Sequence, residues 1–151
     1  MMPKFLTITL SAGLLALGLA TSAKADGAAA VAAREACMKA NGKAIGLMVK
    51  MVKGETAYDK GAIDGALAEE AKACEGWATF WPEDSKPGVV KTRAAEAIWT
   101  DPKGFEAAGM AFMTAREGIV KAADEAAFKA AFPAFGGACK GCHDKFRTAE
   151  E

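Results

Sequence analysis

Apolar residues recur along most of this chain at steps of three and four, and the Val/Ile/Thr alternation of a strand is nearly absent, which predicts an all-α fold. Four helical segments follow. The first, residues 28–53, carries Val31, Met38, Ile45 and Val52 at sevenfold spacing with Val49 beside them, a stripe suited to face a bundle. A turn over 54–59 leads to a second helix, 60–77, whose inward line is Ile63, Leu67, Cys74 and Trp77, with Glu70 interrupting it. Residues 78–100 hold Pro82, Pro87 and Gly88 and read as a long connection with one short helical turn around 92–98. Connections of that length usually cover something. Asp101-Pro102 pairs a cap with a proline at the first helical position and opens a third helix, carrying Phe105, Phe112 and Ile119 and ending near Ala122. Asp124 can cap the fourth, in which Phe128, Phe132, Phe135, Cys139, Cys142 and Phe146 follow steps of four and three. Pro133 cannot donate to the carbonyl of Lys129, so a kink is expected there.

The fourth stripe ends on chemistry. Cys139-Lys140-Gly141-Cys142-His143 has the spacing by which haem is attached covalently: two thiols form thioethers with haem vinyl groups, and the adjacent imidazole binds the iron. On a helix, positions i, i+3 and i+4 share one face, so all three side chains address one flat ligand. A thioredoxin-like dithiol should follow a strand in a βαβ unit, and none is visible. A structural zinc site needs four convergent ligands, and the chain has a single histidine. Because the cysteines lie on the core stripe, the macrocycle should sit against the bundle interior, with aromatic rings leading up to it.

The opposite end sets the compartment. Residues 1–25 carry Lys4, an apolar run over 5–20 and Ala23-Lys24-Ala25, which together read as a cleaved secretory signal peptide. The apolar run is short for a bilayer span, which needs about 20 residues. The mature domain is then 26–151, one unit large enough for its own core. Losing Lys4 and Lys24 leaves a slight acidic excess, which argues against nucleic acid or an anionic membrane as partner. The expected location is the periplasm, with no stable membrane insertion.

A leader, four amphipathic helices and a haem motif near the C-terminus resemble the class II c-type cytochromes, whose branches include cytochrome c′ and cytochrome c-556. Arg34 and Met38, Lys53-Gly54 with Tyr58-Asp59, Phe80-Trp81-Pro82, Ile98-Trp99 and Phe146-Arg147 strengthen the likeness, which spans the mature chain. The resemblance implies an antiparallel four-helix bundle with one haem c near one end, commonly a homodimer. It implies an electron-transfer protein working with redox partners, and no enzymatic turnover.

The distal side of the iron separates two functions. With His143 the only histidine, methionine is the remaining soft ligand, and a His/Met pair makes an electron carrier. If the first and last helices run antiparallel, Met48 and Met51 lie about 15 to 20 Å too far along at 1.5 Å per residue. Height alone leaves Met110 open. The resemblance decides for Met38, which matches the distal position that is methionine in the cytochrome c-556 branch and typically leucine or phenylalanine in cytochrome c′. An ordinary core methionine is the alternative; the iron would then be five-coordinate and bind NO or CO. Arg34, one turn before Met38, is placed by the resemblance near the haem propionates, against the alternative of a solvated surface arginine. Lys140, Lys145 and Arg147 could edge a docking surface, although Asp144, Glu150 and Glu151 offset them. Cys37 and Cys74 stand at similar heights on adjacent antiparallel helices, and an oxidising compartment would join them. The resembled family does not usually carry this pair, so the expectation is a local staple with no bearing on the redox chemistry of the iron.

Overall fold

The computed structural model describes residues 26–149, and the leader expected over 1–25 lies outside them. It contains α1 (Gly27–Val52), α2 (Lys60–Ala73), the four-residue α3 (Ala97–Thr100), α4 (Pro102–Lys121) and α5 (Glu125–Phe146), with 3-10 turns at Trp77–Thr79 and Glu83–Ser85. All four long helices open the same way. Asp26, Asp59, Asp101 and Asp124 accept from the backbone N–H of Ala28, Ala62, Gly104 and Ala127 at 3.1, 2.9, 3.0 and 2.8 Å. Each carboxylate satisfies an orphan N–H and complements the positive end of the helix dipole.

α1 packs along α2, and α4 along α5. Antiparallel pairing shows in the contacts: Phe112 meets Phe135 near the middle of the second hairpin and Phe105 meets Phe146 at its far end. The core cluster fills the end near the helix–helix turns, where Ala44, Met48 and Met51 of α1 meet Ile63, Leu67, Ile119, Phe128 and Phe135. α5 runs as a continuous helix through Pro133.

Four sequence expectations change. The buried line of α1 is Ala30, Arg34, Cys37, Ala44, Met48 and Met51, with Val31 at its edge, so the helix is rotated from the Val31–Met38–Ile45–Val52 stripe. That stripe was read from apolar residues alone, whereas the true line includes a buried arginine. α2 stops at Ala73 instead of reaching Trp77, because Gly76 takes the left-handed conformation (φ 81°) that ends the turn. Glu70 does not interrupt the inward line but belongs to it: 4% exposed, it accepts from Arg116 Nε of α4 at 2.7 Å, and Arg116 Nη2 also donates to the Leu67 carbonyl at 2.8 Å.

The long connection is structured. Its helical turn falls at 97–100 instead of 92–98, because residues 93–95 are extended and pair with the end of α5: Ala95 N–H donates to the Phe146 carbonyl at 3.0 Å, and Thr148 N–H to the Arg93 carbonyl at 2.9 Å. Trp99 Nε1 donates to the Trp81 carbonyl at 3.1 Å. At its other side the 3-10 turn at Glu83–Ser85 abuts the start of α1 so closely that a Cβ on Gly27 would lie 2.1 Å from the Asp84 carbonyl oxygen.

Candidate functional site

At the end of the bundle away from the core cluster lies a cleft of about 330 Å³, lined by α1 (Arg34, Met38), the connection (Trp77, Trp81, Ile98), α4 (Phe105) and α5 (Cys142, His143). The structure thus brings Arg34, Met38, Cys142 and His143 to one cavity. Cys139 is half-buried one turn earlier on α5 and is not among the lining residues. Met48 and Met51 are sealed in the core, and Met110 is 62% exposed on α4, so neither group reaches the cleft.

The cleft wall is aromatic. Trp81 stands edge-on to Trp77, Phe105 and Trp99 at centroid distances of 4.8, 4.7 and 6.1 Å, and Phe105 continues the run to Phe146 at 5.2 Å. Such edge-to-face contacts fix ring positions as well as burying area. The pattern of helical stripes missed this wall, though a signal existed: all three tryptophans stand between residues 77 and 99, a composition unlike a solvated loop.

Arg34 is 5% exposed, which removes the surface-arginine alternative. Its Nη2 donates to the Ser85 carbonyl at 3.0 Å, and its guanidinium lies 4.8 Å from the Trp81 ring centre, a cation–π contact. Burial pushes its pKa down, with the neighbouring Glu35 opposing, but an arginine stays charged. Arg34 Nη1 and Trp81 Nε1 are both buried donors without an acceptor among the described residues, and both residues line the cleft. An uncompensated buried donor is costly, so the cleft suits a flat apolar group that brings carboxylates of its own.

Burial also holds the Cys139 and Cys142 thiols above their usual range; at Cys139 the neighbouring Cys142 and Glu70 add to it while a backbone hydrogen bond opposes. The His143 imidazole is shifted down, first by burial and then by Arg147 and Arg93, against Asp144. A depressed value favours the neutral ring, which is the form that coordinates a metal. Among the described residues no group of three or more His, Cys, Asp or Glu is arranged to hold a metal ion, so a zinc site on Cys139, Cys142 and His143 lacks its remaining ligands. The basic side chains beside the motif are exposed but offset by carboxylates of the same chain: Lys140 pairs with Asp144 and Lys145 with Asp101.

Cys37 and Cys74 are joined by a disulfide, with their Cα atoms 4.7 Å apart. Asn41 Nδ2 donates to the Cys37 carbonyl at 3.1 Å and reaches Cys74 Sγ at 3.4 Å.

A helical domain with a haem-attachment motif at the cleft end of its last helix defines a c-type haem protein. The chain belongs to the cytochrome c′ family: the family model described as "Cytochrome C'" matches residues 29–147. It is similar to the cytochrome c′ of Rhodopseudomonas palustris, 36% identical over 95% of this chain and 97% of that one. It is also similar to the cytochrome c-556 of that organism, 31% identical over 75% and 78%. Among solved structures it matches a nitric oxide complex of a cytochrome c prime variant from Alcaligenes xylosoxidans, with TM-score 0.69 and 29% identity over 83% of this chain and 98% of that one. The protein is a monohaem c-type cytochrome with covalent haem c. The two unpartnered donors and the aromatic wall fit that group. Among the described residues, no helix is long and apolar enough to cross a membrane.

Proposed function

We propose that this chain is a periplasmic single-electron carrier in which Cys139 and Cys142 hold the haem, His143 binds the iron on one side and Met38 on the other. The haem supplies an iron that gains or loses one electron, and a sulfur ligand favours the ferrous form. The residues of the chain do the rest. Arg34 Nη1 and Trp81 Nε1 would hold a propionate, Trp77, Trp81 and Phe105 would exclude water, and burial, followed by Arg147 and Arg93, favours the neutral form of His143. The observation that carries this reading is that Met38 and His143 line one cleft while every other methionine weighed for the role lies outside it. Redox proteins of an electron-transfer chain are the expected partners, with a homodimer as the assembly and no enzymatic turnover.

A second reading has its own support. Several similar proteins are named cytochrome c′ beside one named cytochrome c-556, and a nitric oxide complex stands among the solved neighbours. These names favour a five-coordinate iron that binds NO or CO at an open distal face, more than they favour the first reading. What sustains the first is the thioether at position 38. The ferrous optical spectrum before and after CO decides between them. A six-coordinate low-spin spectrum that CO barely alters supports the electron carrier; a high-spin spectrum that shifts fully on CO supports gas binding.

A further inference from the structure

We propose that the Cys37–Cys74 disulfide is a positioning strap for the distal wall of the cleft, fixing the segments that carry Met38 and Trp77 relative to one another and thereby restricting entry of ligands to the iron. Cys37 immediately precedes Met38 on α1; Cys74 stands three residues before Trp77; and both Met38 and Trp77 line the cleft. The bond therefore joins the two segments that form that side of the cavity.

The α1 members of the core cluster begin at Ala44, and the first half of the helix, which carries Arg34 and Met38, borders the cleft instead, with Ala30, Arg34 and Cys37 buried. Its ties there include the disulfide, the Asn41 bonds around it, the Arg34 bond to Ser85, the Arg34–Trp81 cation–π contact and the close approach of Gly27 to Asp84. Of these only the disulfide is covalent, and Cys37 is 1% exposed, so the strap is built into the interior. With the bond cut, the first half of α1 and the Gly76–Trp77 turn are free to separate, and the path to the iron widens.

This inference rests on the cleft being the haem site but holds whether Met38 is bound to iron or packs beside an open position. The test is the rate of CO association with the ferrous holoprotein, compared with and without C37S/C74S, in the parent chain if its ferrous spectrum is high-spin and in the Met38→Leu background if it is low-spin. The expected result is a rise of about tenfold, equivalent to about 1.4 kcal/mol off the barrier to entry. Met51→Ala, a core change remote from the cleft, serves as a control that lowers stability without speeding CO. An unchanged or slower rate in a folded double variant overturns the proposal, as does an equal acceleration in Met51→Ala. If the double variant fails to fold, the bond is cut in the folded chain of the same background with dithiothreitol. Its two thiols supply the two electrons and two protons that leave Cys37 and Cys74 as thiols, and it ends as a cyclic disulfide. A high-spin parent spectrum would end the Met38 ligation reading without touching the strap, because the CO rate is still compared with the bond present and absent.

Discussion

Arg34 Nη2 donates to the Ser85 carbonyl across 51 residues of chain, and this bond helps tie α1 to the connection that walls the cleft. It also turns the free end of the guanidinium, Nη1, into a buried donor awaiting an acceptor. A lysine at this position keeps the charge but loses the planar fork that can bond Ser85 and a carboxylate together. Arg34→Lys is expected to destabilise the holoprotein by about 1–3 kcal/mol, read from guanidinium unfolding. An unchanged midpoint would show that the fork does not bridge the two.

Met38→Leu separates the two readings of the distal side. Leucine matches methionine in bulk, so the stability change should stay below about 1.5 kcal/mol. If the thioether binds iron, the ferrous spectrum of the variant turns from low-spin to high-spin and gains full CO binding. A variant spectrum identical to that of the parent means that Met38 is not a ligand.

The Glu70–Arg116 pair is enclosed on both sides, with side-chain exposures of 5% and 19%. Removing one partner strands the other charge, so Glu70→Leu alone should cost about 3–5 kcal/mol, whereas Glu70→Leu with Arg116→Met recovers most of that loss. Denaturant unfolding of the singles and the double provides the check, and additive losses would contradict it.

Asp101 both caps α4 and meets Lys145 of α5. The hydrogen bond from Lys145, and next the one from Gly104 N–H, hold its carboxyl below the ordinary value of 3.8. A carboxylate depressed in the folded state binds its proton more readily when unfolded. Its contribution is therefore complete above the ordinary value and is lost as pH falls through the lower folded one. Thermal melts from neutral pH into acid should fall less steeply for Asp101→Asn than for the parent; parallel curves would mean that Asp101 contributes nothing to acid sensitivity.

The helices were legible because their signals are local. An aspartate cap, a proline at the first helical position and a repeat of three and four act within a turn or two of chain, and α4 and α5 lie almost where those signals put them. The end of α2 was harder, since a glycine terminates a helix only if it adopts the left-handed conformation, as Gly76 does. The rotation of α1 was not legible at all. Burying Arg34 requires the Ser85 carbonyl and the Trp81 ring, both of which arrive from about fifty residues away.

By itself the sequence determined an all-α chain, a haem-attachment pentapeptide on the last helix, and two further cysteines at matching heights. It did so because covalent spacing and helical period are properties of neighbouring residues. Only the tertiary structure decided which methionine faces the cleft, that the tryptophan-bearing connection forms its wall, that Glu70 and Arg116 form a buried pair, and that Arg34 is interior. Those outcomes depend on which surfaces meet after the hairpins pack. No local pattern encodes that, because each such side chain is placed by partners distant in sequence.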